Sequence, residues 1–125
     1  MLYLTAEQIL FIHHRLIKAT GGLHGLSDPG SLQAAVARSL AAFDNRELSP
    51  DLFCKAAALM ESLIRNHPFV DGNKRTAIAA AGLMLRRNGS PLVATQDELY
   101  DFTMRMATGE AGICSASDWL ARHAG

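Results

Sequence analysis

Between His67 and Arg75 the chain sets an imidazole, a carboxylate, an amide, an ammonium and a guanidinium into nine residues, His67-Pro68-Phe69-Val70-Asp71-Gly72-Asn73-Lys74-Arg75. An imidazole such as that of His67 can take a proton near neutral pH. Asp71 can hold a divalent cation through oxygen, and magnesium is the usual partner of phosphates. Gly72 permits a tight turn or a close backbone approach to a ligand. Asn73 can cap a helix or hydrogen-bond a phosphate. Lys74 and Arg75 suit phosphate, one as a point charge and one as a fork. Together these groups describe transfer of a phosphorus-centred group to a hydroxyl, where positioning and charge neutralisation dominate. Each has a plainer role alone. His67 could end a helix, Asp71-Gly72 is a common turn pair, Asn73 a cap, and Lys74-Arg75 a solvated pair. Phe69 is an apolar anchor of the loop on either reading. Their coincidence is the signal.

The next stretch, Thr76-Ala77-Ile78-Ala79-Ala80-Ala81-Gly82-Leu83-Met84-Leu85, is apolar at nearly every position. Such a helix has no face to give to water, so a buried central helix is expected over about residues 73–88. The polar cluster then feeds its N-terminus, where free amides and the helix dipole attract anions. Cations in the first turn oppose that dipole, so Lys74 and Arg75 call for a negative partner, a phosphate being the simplest.

Around this helix the pattern is helical throughout. Thr5 and Gln8 form a capping box for a first helix with Ile9, Ile12, His13 and Leu16 inward, ended by Gly21-Gly22. Asp28 and Pro29 open a second, with Leu32, Ala35, Val36, Ser39, Leu40 and Phe43 inward. A polar connection over residues 44–48 leads to Ser49-Pro50-Asp51 and a third helix reaching about Asn66. Asn88-Gly89 stops the fourth. Pro91-Leu92-Val93 is a short extended link, and Thr95 with Glu98 caps a fifth carrying Leu99, Phe102 and Met106. A sixth, from about Ser115 or Ser117, carries Trp119 and Leu120. No stretch alternates with a strand's period, so the expected fold is an all-α bundle of about six helices in one domain, residues 1–125.

The 125 residues balance 12 Lys plus Arg against 12 Asp plus Glu, and 49% are hydrophobic. Zero net charge speaks against direct, sequence-independent nucleic-acid binding. No apolar run approaches the roughly 20 residues of a membrane span, and the N-terminus lacks a signal-peptide pattern, so a cytoplasmic protein without membrane association is expected. Cys54 and Cys114 read as reduced, buried, small hydrophobes. His13 falls on the inner stripe of the first helix and reads as a satisfied core histidine.

The motif resembles that of the Fic family, H-x-F-x-[D/E]-G-N-G-R-x-x-R. His67, Phe69, Asp71, Gly72, Asn73 and Arg75 match. Lys74 stands in place of a second glycine and Ile78 in place of a second arginine, which resembles the Doc (death on curing) branch of the Fic/Doc family. Gly22-Leu23-His24-Gly25-Leu26-Ser27-Asp28-Pro29-Gly30, Leu85-Arg86-Arg87-Asn88-Gly89 and Ala107-Thr108-Gly109-Glu110 are also similar to Doc.

The resemblance implies a compact Fic fold and a toxin of a toxin–antitoxin pair. Its activity would be that of a protein kinase that uses ATP and Mg2+ to phosphorylate a threonine of elongation factor Tu, halting translation. His67 would deprotonate the target hydroxyl and Asp71 would hold magnesium. Asn73, Lys74, Arg75 and the Gly72 backbone would cradle the phosphate, with Arg65 a further nucleotide contact. Leu23, His24 and Leu26, in the glycine loop, correspond to a flap that can guide the target. A lysine fills space that glycine leaves open for a phosphate, and Ile78 removes a guanidinium that holds the far phosphate in AMP transfer. Gly72, where some Doc proteins carry alanine, fits the AMP-transferring members too, so a Fic-type protein adenylyltransferase is the first alternative. A non-catalytic partner-binding module is the second. The inhibitory [S/T]-x-x-x-E-[G/N] helix of many Fic proteins is missing: residues four before Glu7, Glu47, Glu61, Glu98 and Glu110 are Tyr3, Phe43, Ala57, Ala94 and Met106. Control is therefore expected from a separate Phd-type antitoxin whose C-terminal segment lies in a groove of this chain.

Overall fold

The computed structural model describes residues 1–41 and 52–125. The polar connection, the Ser49-Pro50-Asp51 start and Phe43 lie outside them. Among the described residues there are six helices and no strand: α1 (Ala6–Thr20), α2 (Pro29–Ala41), α3 (Leu52–Asn66), α4 (Asn73–Arg87), α5 (Gln96–Ala107) and α6 (Ile113–Arg122). None is long and apolar enough to cross a membrane.

The caps form as their chemistry requires. Thr5 and Gln8 close a capping box on α1, and Thr95 and Glu98 another on α5. Asp28 takes the Ser31 amide at 3.1 Å and the Ser31 hydroxyl at 2.7 Å at the head of α2. These bonds hold the Asp28 carboxyl below its usual range, the side-chain bond from Ser31 first among the causes. The start of α6 differs from expectation. It opens at Ile113, with Gly112 as its cap, rather than at Ser115 or Ser117. Neither serine is needed there: Ser117 is buried, with its hydroxyl 3.2 Å from the Cys54 sulfur.

Helix α4 is the central element expected from its sequence, flanked by α1, α3 and α5. Ala77, Ala80, Ala81, Met84 and Leu85 are buried, while Ile78, Ala79, Gly82 and Leu83 are half-buried. The alanines let α3 approach closely. Helix α3 is the more completely enclosed of the two, because α2, α4, α5 and α6 all pack on it. That enclosure takes in even Lys55, which is 0% exposed; its ammonium donates to the Leu40 carbonyl at 3.1 Å and lies 5.3 Å from the Tyr3 ring centre. Phe102, Trp119 and His123 stack in a column at 4.0 and 3.8 Å that joins α5 to α6. The extended link pairs with the C-terminus through a bridge between Leu92 and Ala124. Both cysteines are free, but neither is buried as expected: Cys54 is half-buried and Cys114 is exposed.

Candidate active site

The motif loop connects the two most central helices, α3 and α4. His67 follows directly on α3 with φ 48°, a left-handed conformation that costs a non-glycine residue energy and turns the chain sharply. Pro68 and Phe69 then plunge into the core, while His67 and Val70 stay exposed. Gly72 adopts φ 78° and caps α4 without a side-chain bond. Its carbonyl receives the first ladder bond, from the Thr76 amide at 2.9 Å, so the amides of 73–75 precede the ladder. No acid sits in the first turn.

Two neighbouring elements hold the loop. The segment after α1 runs alongside it as a short strand-like pair. Ser27 and Asp28 donate their amides to the Pro68 carbonyl, Val70 donates to Gly25, and Leu26 bridges Phe69. From α1, His13 donates to the Asp71 carbonyl at 2.7 Å and stacks flat on Phe69 at 3.9 Å.

Asn73 does not cap α4. It is the first helical residue, and its buried amide turns back onto the loop instead. Oδ1 accepts from the Phe69 amide at 3.0 Å, and Nδ2 donates to the Phe69 carbonyl at 2.9 Å. Those backbone groups fix which way the amide points. Nδ2 therefore also faces His67 Nδ1, at 3.3 Å, and that ring nitrogen meets it as acceptor.

Both oxygens of Asp71 accept backbone amides, from Gly72 at 2.8 Å and Leu23 at 3.2 Å. The Leu23 bond, then the Gly72 bond, then the charges of Arg75 and His13 hold its carboxyl below the usual range, so it is ionised at neutral pH. Arg75 donates to the Thr20 hydroxyl and reaches the Gly21 carbonyl at 3.4 Å. Arg75 thus rests against the carbonyl end of α1, the negative end of that helix's dipole. Lys74 stays exposed.

His67 and residues 70–75 line a cavity of about 200 Å3. Beside it opens a cleft of about 420 Å3, walled by Glu61, Ile64, Arg65, His67 and Lys74 on one side and the α5–α6 connection on the other. A third cleft, about 240 Å3 and largely apolar, lies between α4 and α5 at Ile78, Leu99, Tyr100 and Met104. Lys74 lines all three. A larger cleft of about 490 Å3 at Asp101, Arg105 and Trp119 contains no motif residue, so volume does not mark the site here; the convergence of chemical groups does.

Arg65 lines the adjoining cleft with His67 and pairs with Glu61 at 3.6 Å, which also pairs with Arg38 at 3.8 Å. The glycine-loop residues part company. Leu23 and His24 face outward, His24 with its ring 5.0 Å from that of His14. Leu26 is half-buried and packs against the core. Thr20, Gly21 and Glu61 were not legible as site residues, since their roles depend on which helices meet. His13 left one signal, a histidine on an apolar stripe.

Among the described residues no group of three His, Cys, Asp or Glu side chains could hold a metal ion. A cation at Asp71 would be completed by phosphate oxygens and water, which is how magnesium accompanies nucleotides. One ionised carboxylate beside cations and orphan amides fits that use.

An all-α fold with an anion-receptive loop at the head of its central helix defines the class, and comparison supplies the family. A family model described as the Fic/DOC family matches residues 3–85, and the chain belongs to that family. It is 40% identical over 122 residues to "Protein kinase doc" of Escherichia phage P1, covering 98% of this chain and 95% of that protein. It is 45% identical over 105 residues to "Toxin Doc" of Mycolicibacterium smegmatis, covering 82% and 81%.

Proposed function

We propose that this chain is the toxin of a toxin–antitoxin pair and acts as a protein kinase. It would move the γ-phosphoryl group of ATP to a threonine hydroxyl of elongation factor Tu and so halt translation. The carrying observation is the cavity where His67, Asp71, Lys74 and Arg75 meet the uncapped start of α4. The names of the two relatives, a kinase and a toxin, support the same reading.

In this reading the target hydroxyl gives its proton to His67 as its oxygen attacks the γ-phosphorus. The bond from that phosphorus to the β–γ bridging oxygen breaks, and ADP leaves with the electron pair. Accepting the proton at Nε2 requires the tautomer protonated on Nδ1. In that tautomer the Asn73 contact is given up while Asn73 keeps its Phe69 pair. Lys74, Arg75 and the amides of 73–75 hold the phosphoryl oxygens as charge redistributes. Magnesium, when bound at Asp71, neutralises phosphate charge. Ile78 leaves the α4–α5 side of the site apolar, where an AMP-transferring site would place a guanidinium. That cleft, continuous with the site through Lys74 and Arg75, suits the amphipathic C-terminal segment of a Phd-type antitoxin.

The test is incubation of the chain with elongation factor Tu, magnesium and ATP labelled at either the α or the γ phosphate. Label on the factor from the γ position, with one phosphate's mass added, is expected. Label from the α position would replace the kinase reading with adenylyl transfer. Toxicity that survives His67→Ala would exclude catalysis as the function.

A further inference from the structure

We infer that His13 is a positioning residue: it locks the plane of the Asp71–Gly72 peptide and, through it, the Asp71 carboxylate. The carbonyl of Asp71 and the amide of Gly72 are two ends of one peptide unit. His13 grips the oxygen end at 2.7 Å, and the N–H end donates to Asp71 Oδ1 at 2.8 Å. A peptide next to glycine flips cheaply, because glycine accepts either sign of φ. Glycine is nonetheless imposed here: a Cβ on Gly72 would lie 2.9 Å from Ile17 Cδ1, and its φ is 78°. The residue that the packing demands is the one least able to hold its own peptide, so the restraint comes from outside. His13 is placed to give it, 4% exposed, one turn from Ile17 on α1, and stacked on Phe69 with the ring planes 6° apart. Donation to the carbonyl also polarises the peptide and strengthens the N–H bond at its other end. A flipped peptide would take the Gly72 amide off Oδ1, leaving only the Leu23 amide to hold the carboxylate that would meet a cation.

The lock stands on geometry alone; its consequence for transfer rests on the reaction proposed above. Amide hydrogen exchange at Gly72 in the metal-free protein tests the first. His13→Gln puts an amide nitrogen where the imidazole Nε2 stands, keeping the donor and losing the stack. His13→Phe keeps the ring on Phe69 and loses the donor. Gly72 protection is expected to persist in His13→Gln and to fall about tenfold in His13→Phe, the factor one ordinary hydrogen bond supplies. In the transfer assay, the magnesium concentration for half-maximal rate should rise about tenfold in His13→Phe and return in His13→Gln, with kcat at saturating magnesium changing less. Equal Gly72 protection in wild type and His13→Phe overturns the lock, as does equal damage in both variants. Should His13→Phe not fold, loss of Gly72 protection in His13→Gln overturns it. A wild-type protein that transfers nothing refutes the reaction, while the exchange measurement still decides the lock.

Discussion

Replacing Asn73 with alanine tests how the loop is held. The Asn73 amide makes two bonds to the backbone of Phe69, at 3.0 and 2.9 Å, where Phe69 is 3% and Asn73 6% exposed. Alanine removes both partners and leaves a buried N–H and a buried C=O unpaired. A net hydrogen bond is worth about 1 kcal/mol, and a buried polar group left unsatisfied costs ~1–3 kcal/mol. Better helix propensity returns up to ~0.7 kcal/mol. The expected loss is therefore about 2–3 kcal/mol. At roughly 3–6 °C per kcal/mol for a domain of this size, Tm should fall by about 6–18 °C. Asn73→Asp makes a sharper control. It is nearly isosteric, yet it turns a carboxylate oxygen toward the Phe69 carbonyl, so it should be at least as destabilised as the alanine variant. Urea denaturation followed by circular dichroism, with calorimetry, measures both. A loss below about 0.5 kcal/mol in Asn73→Ala, or an aspartate variant as stable as wild type, would refute the clamp.

His67→Gly should be more stable than His67→Ala by about 0.5–1 kcal/mol, because alanine keeps the strained φ of 48° and glycine does not; equal melting temperatures would deny the strain. Both variants should lose transfer. Gly22→Ala should destabilise the chain by roughly 1–3 kcal/mol and displace the glycine loop, since its Cβ would fall 2.7 Å from Asp71 Oδ2 at φ 119°; an unchanged denaturation midpoint would contradict this. Asp71→Ala should abolish transfer with only a small change in Tm, the carboxylate being at the surface; a large thermal loss without magnesium would count against that assignment. The carboxyls of Asp28, Asp71 and Glu98 all lie below their ordinary values, chiefly through capping and backbone hydrogen bonds. Their contribution to stability is present above the unfolded values of about 3.9–4.3 and is lost as pH falls through the lower native ones. The stability deficit of Asp71→Asn should accordingly be constant above about pH 5 and shrink below about pH 4. A deficit that grows in acid would reverse the sign.

Much of the fold was legible because it is written locally. Capping boxes at Thr5 and Thr95, the Asp28-Pro29 start and the Asn88-Gly89 stop each act within a few residues, and each stands in the structure. The head of α6 was not, because Gly112 caps it with no side chain to announce the fact. Lys55 was equally hidden: a lysine reads as solvent-facing until its neighbours close over it.

The motif residues, their order and their closeness to a helix N-terminus follow from spacing alone, since they sit in nine consecutive positions. Their roles within the loop do not. Asn73 reads as a cap and serves as a clamp on Phe69. Arg75 reads as an anion binder, and which backbone it rests against, the carbonyl end of α1, is not written near it in sequence. Asp71 is set by Leu23, 48 residues away, and its peptide by His13, 58 residues away. Hydrogen bonds over such distances depend on how α1 lies against α4, and helix packing is decided by the whole core, not by any one stretch of chain.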